Sequence, residues 1–319
     1  MFISRVEADE LEERLDPAYY APLALQTDHW LAAVHQDNLD RLGYLTEVVA
    51  SAFYEGLSAR YGERGVAFVR VGDVRLGTVE LSRTMRLDES IATGTPGLAY
   101  EETPLLVLTK GGSVGRVGLA FEEVGVALSR DVLGLVARDE RQLPRILFYL
   151  ASPPGRAQVL RGASRQVQAH LTVERLRAVR VPRLAEADQQ LLTTAYDKLK
   201  FARMAFEAAD DAATANFVAA YLTTQGAHNQ AMRAGSGVRF RSYSREQLSD
   251  LLLPPPALQV EFATHLRAVA STSEALHQSW ANGIQLMLNA IGWGTAADVD
   301  LPDDAGVIGD GSDGPEELD

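Results

Sequence analysis

The stretch Leu176-Arg177-Ala178-Val179-Arg180-Val181-Pro182 divides the chain into two differently patterned parts. From Leu42 up to it run short β-prone segments punctuated by glycine, such as Val66-Ala67-Phe68-Val69-Arg70-Val71, Leu105-Leu106-Val107-Leu108-Thr109 and Arg116-Val117-Gly118-Leu119-Ala120-Phe121. Beyond it the apolar residues move to helical spacing. Leu192, Ala195, Leu199, Ala202, Phe206, Ala209 and Ala213 recur three and four apart, a coiled-coil-like seam. A bulkier seam runs through Leu258, Phe262, Leu266, Val269, Leu276, Trp280, Ile284 and Met287. The fold class read from this is α+β. A globular mixed α/β domain with a twisted sheet is followed by two long helices, forming a coiled-coil-like antiparallel pair.

The same stretch has a second copy. Leu248-Ser249-Asp250-Leu251-Leu252-Leu253-Pro254 aligns with it at an offset of 72 residues. Each copy follows a hydroxyl-bearing helix start, Thr172 or Ser244, and Ser244 with Gln247 forms a capping box. Each then continues through a glutamine, Gln190 or Gln259, into a long helical pattern that can approach about 50 Å at 1.5 Å per residue. The order of cap, short helix, proline and long helix, kept twice, marks an internal repeat.

These signals divide the chain into an N-terminal arm with a helix (1–42), a globular domain (43–185), a first long helix (186–222), a short connector (223–243), a second helical module (244–293) and an acidic tail (294–319) expected to be disordered. Asp28-His29-Trp30-Leu31 is the expected helix start in the arm. A short helix is expected over Pro144 to Leu150, stopped near Ser152-Pro153-Pro154-Gly155.

The net charge of −13 is unevenly spread. Residues 1–42 carry three Arg against nine Asp/Glu, whereas 43–183 carry nineteen Arg/Lys against fifteen acids. Residues 184–297 hold eight against ten, and 298–319 hold nine acids and no base. Between Arg141 and Arg183 stand nine arginines and one acid, Glu174. Phosphate binding answers to the local field rather than to whole-chain charge. That stretch therefore reads equally as an electrostatic footprint or as a solvated arginine face. No run of about 18 apolar residues is present to span a membrane. The start turns acidic too early for a secretory leader, and with no cysteine there are no disulfides or thiolate metal sites, which fits a cytoplasmic protein.

Several motifs invite chemistry. Lys110-Gly111-Gly112-Ser113-Val114-Gly115-Arg116 lacks the Gly-Lys-Ser/Thr of a P-loop, and a strand rather than a helix follows Gly115, against a dinucleotide site. A hairpin whose glycines take positive φ is the plain reading. Gly162-Ala163-Ser164-Arg165-Gln166-Val167-Gln168-Ala169-His170 is polar and precedes a helix start. Arg can bind guanine bidentately, Gln can bind adenine, and Ser can hold phosphate, so Ser164, Arg165, Gln166 and Gln168 are contact candidates beside the alternative of an ordinary loop. Arg70 and Arg75 flank a turn and either meet phosphates or end strands in solvent. Ser152-Pro153-Pro154-Gly155 is one residue from the adenine-methyltransferase tetrapeptide, but its glycine cannot stack a flipped base. No acid–x–Lys strand or metal-binding histidine spacing is present, so no catalytic or metal residues and no cofactor on this chain are expected.

Four stretches together resemble the DNA specificity subunits of type I restriction–modification systems. Leu15-Asp16-Pro17-Ala18-Tyr19-Tyr20 is similar to the opening arm, and Phe68 to Val74 with Gly77-Thr78-Val79 to the early strand and turn of a target-recognition domain. Leu106 to Arg116 is similar to that domain's central strand and glycine turn. Leu147 to Ser152, Gly162 to Leu171 and Leu176 to Pro182 are similar to its closing portion. The resemblance covers most of residues 10–293. It implies a non-catalytic subunit that directs a partner adenine methyltransferase to a target in double-stranded DNA, with S-adenosylmethionine on that partner. It places Lys110, Ser113 and Arg116 beside the nucleic acid.

The resemblance departs in one respect. Family members carry two recognition domains, whereas the connector 223–243 is too short for a second one. One domain would then serve two helices, reading a half-site or pairing with a second copy in a homodimer. A restriction subunit as further partner, and another phage-defence or single-chain restriction–methylation setting, stay open. So does a different class of function. An acidic chain with coupled helices could act as a non-catalytic DNA mimic regulating such a complex.

Overall fold

The β-prone half folds as two stacked sheets, not the one twisted sheet expected. The computed structural model describes residues 17–50, 61–62, 65–75, 77–79, 81, 84–95, 98–100, 104–120, 125–165, 169–222 and 256–293. One sheet has six strands, β2 (Thr46–Ala50), β12 (Val132–Ala137), β9 (Leu105–Thr109), β10 (Val117–Ala120), β6 (Gly77–Val79) and β5 (Val74–Arg75), in that order. The other has five, β3 (Tyr61–Gly62), β7 (Arg86–Leu87), β4 (Val66–Val69), β11 (Val126–Leu128) and β8 (Ala99–Tyr100). Pairing is antiparallel except for β10 with β6 and β11 with β4.

Alternation along the strands explains the stacking. Leu105 and Val107 of β9 join Val69, Val126, Leu128 and Val132 in one core cluster drawn from both sheets. The intervening Leu106 and Leu108 are buried too, so β9 is covered on both faces. Beyond the five-stranded sheet, Phe68, Leu87, Ala127 and Leu98 pack with Ala92 of α3 (Glu89–Gly94). Against the six-stranded sheet lies α4 (Leu143–Ala151), every residue of which from Leu143 to Leu150 is buried. Each large apolar side chain buried this way contributes roughly 1.5–3 kcal/mol.

One helix boundary differs from expectation. The arm's helix, α1 (Pro22–Ala33), begins before Asp28, with proline at its first position, where the missing N–H is no loss. The helix over Pro144–Leu150 does stop where expected, α4 ending at Ala151 with Ser152 as its C-cap, but a second helix follows at once. Pro153 and Pro154 start α5 (Pro153–Gly162), at a corner where the Ser152 hydroxyl donates to the Tyr149 carbonyl at 2.7 Å.

The arm belongs to the globular unit. Strand β1 (Leu39–Arg41) pairs antiparallel with β15 (Arg180–Pro182), and Asp28 on α1 forms an ion pair with Arg161 on α5. The helix start at Thr172 is as expected, its Oγ1 accepting from the Arg175 N–H at the head of α6 (Val173–Arg177). Within the stretch Leu176 to Pro182, Leu176, Val179, Val181 and Pro182 are buried. Its second copy lies outside the described residues, as do Ser244 and Gln247.

The chain divides into two units, Met1–Tyr196 with Trp280–Asp319, and Asp197–Ser279. The long helix pair, α7 (Glu186–Leu222) and α8 (Pro256–Ala290), runs through both. In the second unit Leu199, Ala202, Ala213 and Leu276 are buried as the seams require. Leu266 departs, at 48% exposure, and the side chains of Leu258 and Phe262 lie outside the described residues. In the first unit the Trp280 ring lies 5.8 Å from that of Phe148 on α4, and Trp293 meets Trp30 of α1 edge-on at 5.3 Å. The α8 seam therefore does not serve a partner helix alone. From Trp280 onward it closes the globular unit.

Candidate nucleic-acid interface

Four chain turns converge where β4, β9 and β11 end. The first follows β4. Arg70 N–H donates to the Asp73 carboxylate at 2.8 Å, Asp73 N–H returns to the Arg70 carbonyl at 3.1 Å, and Arg75 Nε donates to the Gly72 carbonyl at 3.0 Å. Arg70 Nε also lies 3.7 Å from that carboxylate. Asp73 thus fixes the turn that presents Arg70 and Arg75.

The second turn is the hairpin Lys110 to Arg116 between β9 and β10. Thr109 knots its base: Thr109 N–H donates to the Arg116 carbonyl, Arg116 N–H to Thr109 Oγ1, and Gly115 N–H to the Thr109 carbonyl, each at 2.9 Å. Gly112 and Gly115 take φ of 58° and 88°, which a side chain with Cβ rarely adopts. Ser113 and Gly112 are exposed at the tip, while Lys110 and Arg116 are half-buried at the shoulders. Burial lowers the Lys110 ammonium from its ordinary value, against the opposing charge of Asp131.

The third segment is a small hairpin in which β13 (Ser164–Arg165) pairs with β14 (Ala169–His170). The N–H of Leu171, just past it, donates to the Lys110 carbonyl at 3.2 Å, which ties the hairpin to the glycine turn. Gln166 and Gln168 lie outside the described residues. The fourth, Ser129-Arg130-Asp131, connects β11 to β12. Its Ser129 N–H donates to the Val69 carbonyl at 2.9 Å, and its Asp131 carbonyl accepts from Lys110 and Gly111 N–H at 2.8 and 3.2 Å. Val71 of the first turn is the nearest side chain to the open side of Gly112.

Segments carrying Arg70, Arg75, Lys110, Ser113, Arg116, Ser164 and Arg165, far apart in sequence, are thus bonded into one edge. The Ser129-Arg130-Asp131 connection has no signal in the sequence. Its nearness to Lys110 follows from β12 pairing with β9, a non-local choice. Among the described residues no group of His, Asp or Glu could hold a metal ion.

The arginine run from Arg141 to Arg183 is put to a different use from a continuous footprint. Arg141 pairs with Asp139 at 2.9 Å, Arg161 with Asp28 while stacking on Tyr19 at 4.0 Å, and Arg145 and Arg183 both with Asp40, at 2.6 and 2.7 Å. Arg175 donates to the Gly162 carbonyl at 2.7 Å. Burial would raise the Asp40 carboxyl, but hydrogen bonds and charge from Arg183 and Arg145 outweigh it and hold the group below its ordinary value. Arg145, Arg161 and Arg183 thus fasten the arm, whereas Arg141 pairs locally and Arg175 ties α6 to the end of α5.

No family model matches the chain, and no curated protein matches it. Among solved structures it is similar to the type I restriction–modification S subunit from M. genitalium, at 13% identity, over 64% of this chain and 55% of that one, with a TM-score of 0.39. It is also similar to the HsdS subunit from Thermoanaerobacter tengcongensis, at 13% identity over 82% of this chain and 52% of that one, TM-score 0.37. The type IIG restriction endonuclease BpuSI matches at 10% identity over 87% of this chain and 34% of that one, TM-score 0.42. The chain therefore spans about a third to a half of these proteins' lengths. At such scores the likeness carries no argument about what this chain does. No helix among the described residues is long and apolar enough to cross a membrane.

Proposed function

We propose that this chain is a non-catalytic DNA-recognition subunit that directs a partner adenine methyltransferase, with or without a restriction subunit, to a target in duplex DNA. The observation that supports it is the bonded edge of turns, which carries Arg70, Arg75, Lys110 and Arg116, cations that fit phosphates or guanine edges, together with the Ser113 hydroxyl. S-adenosylmethionine binds the partner, and the long helices hold that partner. Phe201 and Met204 of α7, 75% and 59% exposed outside the buried stripe, suit such a contact. With one recognition domain, the target is a half-site or a symmetric site read by two copies.

The test is methylome sequencing of a host with and without the gene, followed by binding of the co-purified pair to the motif that is lost. The pair is expected to hold that motif at least tenfold above scrambled duplex, while the chain alone binds weakly. Equal binding to all duplexes at every salt concentration would refute sequence reading. Deleting 298–319 separates this reading from a DNA mimic, since a mimic loses its inhibition whereas a reader binds as well or better.

A further inference from the structure

We infer that Asp131 is a base-reading residue, its carboxylate accepting a hydrogen bond from the exocyclic amine of a cytosine or adenine in the major groove. This rests on the DNA-recognition reading above and names what one position of the edge selects.

Placement comes first. The main chain of Asp131 is locked into the glycine turn by the N–H groups of Lys110 and Gly111, so the β11–β12 connection and the β9–β10 hairpin form one piece. The side chain lies across the turn, with Oδ1 2.5 Å from where a Cβ on Gly111 would stand. A glycine at 111 is what leaves room for it. Asp131 is half-buried, beside the exposed Gly112 and Ser113 and the exposed Arg130.

Chemistry comes second. The neighbouring turn also holds a carboxylate, that of Asp73, and it is consumed by the Arg70 N–H and guanidinium. The carboxylate of Asp131 receives no hydrogen bond from the described residues, although Lys110 is near enough to feel its charge. Its fold-holding work is done by its carbonyl oxygen instead. An unbonded carboxylate repels phosphate, so on a phosphate-facing edge it weakens binding to every sequence alike. It becomes useful only opposite a donor. In the major groove cytosine N4 and adenine N6 are the amines that donate, whereas guanine and thymine present acceptor oxygens that a carboxylate rejects. One residue then selects by attraction and by exclusion.

The experiment uses the full chain in complex with its methyltransferase and a panel of target duplexes, each with one base pair replaced. Wild type is expected to prefer cytosine or adenine at one position by about tenfold or more. Asp131→Asn, whose main-chain bonds are untouched, keeps an acceptor oxygen but gains a donor amide. It is therefore expected to change that preference by relaxing the exclusion of guanine and thymine, and to leave the other positions in place. Asp131→Ala, which has no acceptor, is expected to lose the preference at that position, and thermal unfolding of both variants confirms the fold. If both variants keep the wild-type preference everywhere, Asp131 reads nothing. If they tighten binding to all duplexes equally, it is only a counter-charge to Lys110, and the inference fails. A wild type with no preference at any position instead defeats the DNA-recognition reading itself, so the two failures are told apart.

Discussion

Replacing Asp40 by asparagine should destabilise the globular unit by about 3 kcal/mol, at the lower end of the roughly 3–5 kcal/mol for breaking a buried ion pair from one side. The Arg145 side chain is 7% exposed, and its Nη2 lies 2.6 Å from Asp40 Oδ2. Asparagine keeps the shape and removes the charge. The guanidinium is then left with neutral acceptors only, Gln142 Oε1 at 2.8 Å, the Val181 carbonyl at 3.3 Å and the new amide oxygen. Those remaining partners are why the low end applies. The same change frees Arg183, but its side chain is 59% exposed and water replaces the partner. At roughly 2–4 °C per kcal/mol for a domain of about 150–250 residues, the midpoint should fall by about 6–12 °C. Urea unfolding followed by circular dichroism measures it. Adding Arg145→Met to Asp40→Asn should recover most of the loss, because a matched apolar replacement leaves no buried charge. A loss below about 1 kcal/mol, or no recovery in the double variant, would show that β1, α4 and β15 do not depend on this triad.

Because the Asp40 carboxyl sits below its ordinary value in the fold, its contribution is complete above the unfolded value of 3.8 and lost as pH falls through the folded value. Wild type and Asp40→Asn should therefore differ fully near neutrality and converge below about pH 4 in the same unfolding assay. Gly283→Ala would ordinarily favour a helix by about 1 kcal/mol. Here its Cβ runs into the buried Phe148 ring, so a net loss of roughly 1–3 kcal/mol is expected, and Phe148→Leu should relieve part of it. Lys110→Ala should weaken DNA binding by a similar factor on every sequence and flatten the salt dependence by about one unit, as expected of a phosphate contact. A change confined to one base position would instead make Lys110 a reader.

The sequence was informative where structure is local. The helical seam from Leu192 to Ala202, the cap at Thr172 and the glycine turn at Lys110 to Arg116 follow from periodicity and turn chemistry. It was uninformative where a choice of neighbour decides. Nothing in the strand runs tells that β4 and β11 form a second sheet, or that Asp131 meets Lys110 through the pairing of β12 with β9. Pro153 and Pro154 are ambiguous for a physical reason, since proline ends one helix and suits the first turn of the next. The arginine run misled in the same way. Composition registers charge, but not that Asp28, Asp40 and Asp139 stand opposite it.

Under the proposed DNA-recognition function, that use of arginine limits how strongly the chain could hold DNA by itself. By sequence the four turns carry Arg70, Arg75, Lys110, Arg116, Arg130 and Arg165, at most six cations to meet phosphates. Each neutralised phosphate contributes about −0.9 to the slope of log K against log salt, so these turns cannot account for a slope steeper than about −5. Some of the six would contact bases rather than phosphates, which makes the slope shallower still. A carboxylate at Asp131 subtracts further. If the chain reads DNA as proposed, weak binding by the isolated chain follows from this count. The measurement is a salt titration of the isolated chain and of the complex on one duplex. A slope for the chain alone well beyond −5 would mean that cations outside the turns face the DNA, and the interface drawn at the ends of β4, β9 and β11 would be too small.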